Sequence, residues 1–307
     1  MKKYSPEGVL FESRQNKKCM ESMGNLRECF FEERILEARA TLCDSEHNLH
    51  IDLGVIQGII PREECALGIS DGSVRDIAII SRVNKPVAFK ITDFTDDETG
   101  VRTAILSRRA VQQECAEEYI KNLAPGDIID ARVTHNENFG SFCDIGCGIS
   151  ALLPIDSISV SRIPHPDVRL KVNSMIKTVV KSIDAEGRVT LSHKELLGTW
   201  AENAEFFKAG QTVSGIVRSI EKYGVFIELA PNLAGLAEYT PVVNTGDAAS
   251  VYIKSINPEK MKIKLAIVDS FPAEYEQEPV KYFYNGSHMD YWRYSPDASQ
   301  KIIESVF

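Results

Sequence analysis

Apolar and polar positions alternate along most of this chain, and the alternation breaks at regular places. From Ile35 to Leu42, Leu49 to Leu53, Gln57 to Ile60, Ile77 to Val83, Val87 to Phe94 and Val101 to Ser107 the residues are rich in β-branched types with a period of two, which predicts strands. Asp96-Asp97-Glu98-Thr99-Gly100 separates the last two as a hairpin loop. That acidic cluster lacks the regular ligand spacing of a calcium loop, so a solvated turn is the expectation. The pattern then changes to steps of four at Val111, Cys115, Tyr119 and Leu123, predicting a linker helix within Arg108–Leu123 that Pro125-Gly126 ends. Strands resume at Ile128–Thr134, Ser141–Ile145, Ser150–Ile155, Met175–Ile183 and Arg188–Ser192. Leu196, Trp200 and Ala204 mark a second short helix before the turn at Ala209-Gly210. Ahead of all this, Cys19, Met23, Leu26 and Phe30 recur at three- and four-residue steps, predicting a short helix laid against the first strands; a docking arm for a partner is the alternative.

The pattern repeats. Gly126–Pro154 reads GDIIDARVTHNENFGSFCDIGCGISALLP and returns at Gly210–Glu238 as GQTVSGIVRSIEKYGVFIELAPNLAGLAE, without a gap, at an offset of 84 residues. Gly126 meets Gly210, Phe139 meets Tyr223, Gly140 meets Gly224, Phe142 meets Phe226 and Leu152 meets Leu236. A weaker copy, Glu33–Pro61, aligns with the middle one at an offset of 93, with Ala38-Arg39 on Ala131-Arg132 and Pro61 on Pro154. Five short strands per unit with a glycine-punctuated first hairpin predict an all-β chain of small closed Greek-key barrels. The expected division is a helical extension over 1–32, a degenerate first repeat over 33–110, a linker helix over 111–124, a second repeat over 125–195, a linker helix over 196–208, a third repeat over 209–270 and an acidic aromatic tail over 271–307. Tyr282, Phe283, Tyr284, Tyr291, Trp292 and Tyr294 are too many rings for a disordered tail. Packing on the third repeat is the default expectation for them, and a contact surface the alternative.

Composition narrows the function. With 35 basic and 44 acidic side chains in 307 residues, the net charge of −9 opposes electrostatic coating of duplex nucleic acid. Residues 1–120 carry 16 basic and 21 acidic side chains, 121–195 nine of each, and 206–269 seven and six, so the later repeats are the least hostile to a phosphate backbone. Seven cysteines without paired spacing read as reduced, packed thiols and not as a metal or disulfide framework. Neither a signal peptide nor a run of membrane-spanning length is visible, so the expected compartment is the cytoplasm. His135, His165 and His193 stand apart from any nucleophile motif, and Gly146-Cys147-Gly148 is too short for a dinucleotide loop. No enzyme activity, cofactor or metal is expected.

What the repeated aromatics and glycines offer is a stacking surface. Unpaired bases stack on aromatic side chains with little sequence preference, and Gly140 and Gly224 let the backbone turn and a base approach. Phe139 and Tyr223, beside the turn glycines, are expected to be exposed, whereas Phe142 and Phe226 could equally be core. Arg132 and Arg188 could contact phosphate, with Asp184 orienting Arg188 or accepting from ribose.

Over about residues 33–270 the chain resembles the RNA-binding repeat of the bacterial ribosomal protein S1 family, an oligonucleotide-binding (OB) barrel. The resemblance rests on an aromatic-glycine-x-aromatic motif at the second strand, a residue closing the third, and an Asp and Arg around the last hairpin. In the second repeat these are Phe139, Gly140, Phe142, Pro154, Asp184 and Arg188; in the third they are Tyr223, Gly224, Phe226, Glu238, Asn257 and Met261, with Lys260 and Lys262 nearby. Pro154 and Glu238 stand where the family commonly has histidine, and the first repeat has Glu46, His47 and Leu49 in place of the aromatic motif. Leu106-Ser107-Arg108-Arg109 and the helix carrying Trp200 are similar to family linkers. The resemblance implies a monomeric protein that binds single-stranded messenger RNA through its later repeats, with the leading repeat attached to the small ribosomal subunit. A cofactor of RNA decay or transcription, and a protein-docking module holding no RNA, are the competing readings.

Overall fold

The computed structural model describes residues 3–96, 100–241, 243–272 and 280–307; loop residues 97–99 of the acidic hairpin and the tail residues 273–279 lie outside the described residues. Among the described residues, three closed five-stranded barrels follow one another. The first is built from β1 (Leu36–Cys43), β2 (Leu49–Asp52), β3 (Gln57–Ile60), β4 (Pro86–Asp96) and β5 (Arg102–Ser107). The second has β6 (Ile128–Glu137), β7 (Gly140–Gly146), β8 (Ile149–Pro154), β9 (Met175–Ile183) and β10 (Val189–Ser192). The third has β11 (Thr212–Glu221), β12 (Gly224–Ala230), β13 (Leu233–Ala237), β14 (Ala248–Asn257) and β15 (Lys262–Phe271). Each follows one order: the first strand pairs with the second, the second with the third, the third with the fifth, the fifth with the fourth, and the fourth closes on the first. The third–fifth pairing is parallel in all three. Closure removes the open edges that a small sheet of this kind would otherwise expose.

By compactness the chain divides in two: Met1–Leu123 with Asp130–Arg132 and Asp144–Ser150, and Ala124–Ile129 with Val133–Cys143 and Ala151–Phe307. In the first unit Leu36, Ala38, Leu49, Ile51, Ile60, Phe89 and Leu106 form the barrel core, with Leu26 and Cys29 packed on it. Its charged interior is organised by Glu7, whose carboxylate takes a two-pronged contact from Arg108 at 2.7 and 3.0 Å, a third guanidinium nitrogen from Arg82 at 3.2 Å and the Ala88 amide at 3.0 Å. Burial is costly for such a carboxylate, and the two guanidiniums hold its pKa below the ordinary range all the same. The cysteines are buried except for Cys43, which is half-buried.

Two elements differ from the expected ones. The run Ile77–Val83, expected as a strand, is a one-turn helix at Ile77–Ile80, with Ile79 N and Ile80 N both donating to Asp76 O. The five ladder positions of the first barrel are filled by other strands, so this β-branched segment has no edge to pair with; it closes its own hydrogen bonds and turns Ile79 into the core. The N-terminal helix is two helices, Arg14–Cys19 and Met23–Phe31, because Ser22 accepts from Asn25 N and starts a second helix where one continuous pattern was read. Beyond the first barrel a helix spans Arg108–Glu118, capped by Ser107, and a 3-10 turn covers Ile120–Asn122. After the second barrel come a 3-10 turn at Lys194–Leu197 and a short helix at Trp200–Ala204, started by a capping box of Thr199 and Glu202.

The tail packs against the second unit. Ser287 O accepts from Ile128 N, Met289 N donates to Gly126 O and Phe283 N donates to Leu196 O. Its last residues form a two-stranded ribbon, β16 (Tyr291–Arg293) on β17 (Glu304–Val306). Trp292 and Tyr294 are buried there, whereas Tyr291 is exposed and hydrogen-bonds Glu304 at 2.8 Å. Among the described residues, no helix is long and apolar enough to cross a membrane.

Candidate nucleic-acid interface

The β6–β7 hairpin ends in Phe139-Gly140, and β8 crosses directly beneath it. A Cβ on Gly140 would lie 2.5 Å from Leu153 O and 2.9 Å from Pro154 Cα, so only glycine lets the two strands approach this closely. Ile155 N donates to Phe139 O at 2.9 Å and pins the turn. The third barrel repeats the device, with the space for a Cβ on Gly224 lying 2.5 Å from Ala237 O. Each hairpin thereby presents one ring to solvent over a second, half-buried ring. Phe139 is 55% exposed and meets Phe142 edge-to-face at 6.0 Å and 88°; Tyr223 is 70% exposed and meets Phe226 at 6.1 Å and 88°. Phe142 and Phe226 are outward positions in their strands, since Ser141 and Cys143, like Val225 and Ile227, are buried on either side.

At the far hairpin of the second barrel, Asp184 is a turn-former. It accepts from Glu186 N at 3.1 Å and Arg188 N at 2.8 Å, and its other oxygen takes Arg188 Nε at 2.7 Å. The Arg188 backbone and side-chain donors keep the Asp184 carboxyl below its usual pKa. Arg188 is 76% exposed along its side chain and also reaches Glu186 at 3.0 Å. In the third barrel Asn257 does the same work, accepting from Lys260 N at 2.8 Å, and Met261 adopts a positive φ in the turn; Lys260 and Lys262 are exposed. Glu238 is exposed and paired with Lys254 at 3.0 Å, which lowers its pKa. Arg132 belongs to the other compact unit, where its guanidinium lies 3.4 Å from the space a Cβ on Gly8 would take.

Two lysines escaped the sequence reading. Lys181 of β9 and Lys254 of β14 each stand three residues before the hairpin residue, Asp184 or Asn257, and are exposed. Lys181 reaches Ser157 Oγ at 3.0 Å, as Lys254 reaches Glu238. The equal spacing was a usable signal, but lysine on an exposed strand position is too common to be noticed without the register.

The first barrel corrects the alignment by one residue. His50 pairs with Ile59 and Leu49 with Ile60, as Phe226 pairs with Leu236 and Val225 with Ala237. Thr41 Oγ1 donates to His50 O at 3.1 Å just as Thr134 Oγ1 donates to Phe142 O at 3.0 Å. His47-Asn48-Leu49-His50, and not Glu46, His47 and Leu49, therefore fills the aromatic-glycine-x-aromatic place, because the first hairpin is one residue longer and turns through His47 at φ 65°. The loop is closed on itself: Asp44 accepts from Glu46 N, Asn48 N, Asn48 Nδ2 and, at 3.1 Å, approaches His50 Nε2. Leu49 is in the core.

Three further histidines have structural surroundings. His135 pairs with Glu137, His165 accepts from Asp167 N, and His193 is buried against the Tyr282 ring with Nδ1 2.8 Å from Lys177 O. Among the described residues, no group of three or more His, Cys, Asp or Glu side chains is placed to hold a metal ion.

Residues 122–194 match the family model described as S1 RNA binding domain. Across 284 residues the chain is 28% identical to the small ribosomal subunit protein bS1 of Staphylococcus aureus (strain COL), covering 87% of this chain and 70% of that protein. Its second barrel matches the S1 domain, and most of the chain is similar to bS1. The S1 protein bS1 of Staphylococcus epidermidis is 27% identical over the same share of this chain and 69% of its own. Among solved structures, a multidomain protein with nucleic acid binding domains from Streptococcus pneumoniae overlaps 80% of this chain and 75% of its own at 11% identity, with a TM-score of 0.25. A Pyrococcus horikoshii a/eIF2alpha-aDim2p-rRNA complex overlaps 27% of this chain and 51% of its own at 19% identity, with a TM-score of 0.24. The S1 match falls on the barrel that carries Phe139 and Phe142, and all three barrels share its strand order.

Proposed function

We propose that this protein binds single-stranded RNA on the second and third barrels and acts in translation, bringing messenger RNA to the small ribosomal subunit. The observation that carries the reading is the exposed ring over a half-buried ring, built twice in the same geometry at Phe139–Phe142 and Tyr223–Phe226. An exposed Phe next to a glycine that leaves no side chain in the way is what an unstacked base requires. Arg188, Lys260 and Lys262, with Lys181 and Lys254, supply cations to the same two barrels, and Asp184 fixes the direction of Arg188. Arg132 falls outside this set, since its guanidinium lies beside Gly8 of the N-terminal segment. Similarity to bS1 favours the ribosomal setting, and with it a cytoplasmic monomer, over RNA decay or transcription.

The first barrel contributes protein contact instead. Its two imidazoles occupy the ring positions, but His50 is turned to Asp44 and residues 1–120 carry 21 acidic against 16 basic side chains. Titration of the full chain with a labelled unstructured oligoribonucleotide and with an RNA duplex tests the binding, and sedimentation with small subunits, with and without ribonuclease, tests the setting. Failure to bind the single strand defeats the whole reading; binding without ribosomal cosedimentation defeats the translational half.

A further inference from the structure

We infer that the second barrel, the third barrel and the tail form one binding unit in which Asn232 is a positioning residue, holding the two ring pairs at a fixed separation for a single strand long enough to lie on both. This rests on the RNA-binding reading above and adds strand length to it. Barrels joined by a free linker would meet through a small, solvated contact and move independently. The contact here is of a different kind. Asn232, in the turn between β12 and β13, has no exposed surface. Its Oδ1 accepts from Val160 N at 3.0 Å and Ser159 Oγ at 3.4 Å, and its Nδ2 donates to Lys194 O at 2.8 Å and Gly198 O at 3.0 Å. The Ser159 hydroxyl is closer to Pro231 O, so the amide's firm bonds are those to Val160, Lys194 and Gly198, and every side-chain partner lies in the second barrel's loop or in the segment that follows it.

The tail closes the joint from its other side. Tyr294 donates its hydroxyl to Asn232 O, while its own carbonyl accepts from Trp200 N at 3.0 Å. Next to it, Glu228 of β12 receives Arg218 from its own barrel, at 3.0 Å to both oxygens, and Arg169 from the second barrel. All three side chains are nearly buried. One continuous apolar cluster joins Val179 of β9, Trp200, the third-barrel core at Val217, Ile227 and Leu265, and Trp292 of the tail. Rotating one barrel against the other would strip the Asn232 amide of its partners and the Glu228 carboxylate of Arg169, so the arrangement resists it. A fixed spacing matters for binding because a strand already seated on one platform meets the second with little further loss of orientational freedom.

The test compares two oligouridylates on the full chain: one of about five nucleotides, within the site of one barrel, and one of about twenty, able to cross both. Wild type is expected to bind the longer strand far more tightly. Asn232→Asp places a carboxylate against the Lys194 and Gly198 carbonyls, and is expected to lower affinity for the long strand by about tenfold while leaving the short one unchanged. Tyr294→Phe, which removes a single hydroxyl, should shift the long strand in the same direction by less, and it decides the question alone if melting shows that Asn232→Asp does not fold. Equal loss at both lengths, no loss at either, or a wild-type protein that gains nothing from length overturns the inference. A wild-type protein that binds neither strand overturns the RNA reading itself and this inference with it.

Discussion

Replacing Phe139 and Tyr223 together with alanine separates the proposed stacking surface from the fold. Both rings are mostly in solvent, at 55% and 70% exposure, so their removal takes little from either core. The folding cost is limited to the edge-to-face contacts with Phe142 and Phe226, at most about 0.5–1.5 kcal/mol apiece. The binding cost is larger, because base–aromatic stacking is worth ~1–3 kcal/mol per base and the two sites stand on different barrels, so a strand engaging both should lose ~2–6 kcal/mol. In affinity that is roughly thirty-fold to more than ten-thousand-fold. Fluorescence anisotropy with an oligouridylate at two salt concentrations reads it, and circular dichroism melting verifies the barrels. The slope of log affinity against log salt should not change, since neither ring touches a phosphate charge. Any duplex binding should also be spared, because an A-form helix hides its base faces. Full single-strand affinity in the folded double variant would refute the reasoning: the rings would then be surface ornaments of a barrel that binds something else.

Three further expectations concern the rest of the fold. His193, neutral and buried, has its pKa pushed down to about 4 by desolvation, so the unfolded chain binds its proton first; the stability this residue contributes is present above pH 6.5 and lost as pH falls towards 4, roughly 3 kcal/mol in all, and urea titrations at pH 7.5 and 5 should show a difference that His193→Gln reduces. Glu37 has the opposite sign: burial raises its pKa to about 8, so its contribution is complete below pH 4.5 and lost as pH rises through 8, and Glu37→Gln should flatten that decline in the N-terminal unit. Trp200 and Trp292, the two tryptophans of the chain, are both buried, so iodide should quench native fluorescence weakly, and deleting residues 280–307 should expose Trp200 and lower the melting temperature.

The barrels were legible because their strands alternate and because glycine is forced at two equivalent places. Gly140 and Gly224 stand 84 residues apart in sequence, and each lies where a Cβ would strike the backbone of the third strand, so the offset records a steric requirement. Ile77–Val83 was misread for a related reason. A β-branched apolar run satisfies a strand pattern wherever it occurs, but whether a ladder has room for it depends on which other strands close the barrel, and that is a property of the whole sheet. The tail was partly legible: clustered rings implied burial, which Trp292 and Tyr294 meet, whereas Tyr291 spends its hydroxyl on Glu304 at the surface.

The site shows where a gapless alignment stops being physical. Counting residues put Glu46, His47 and Leu49 at the first barrel's ring positions, but hydrogen-bond register is counted from strand to strand, and one residue added to the first hairpin turns every side chain of the second strand to the opposite face, until a next loop one residue shorter restores the count. Leu49 is then forced inward and His50 outward, and the first barrel is seen to carry imidazoles where the others carry benzene rings. The same register reveals Lys181 and Lys254, three residues before their hairpins, as a matched pair. Arg188 and Lys254 are each shared with carboxylates, so much of the positive charge on these faces is already compensated within the protein. On a chain of net charge −9, that leaves counterion release a small lever for holding a polyanion. It also makes sense of the doubled ring pair: under the proposed function, where charge cannot supply the affinity, two stacking surfaces held at a fixed spacing can.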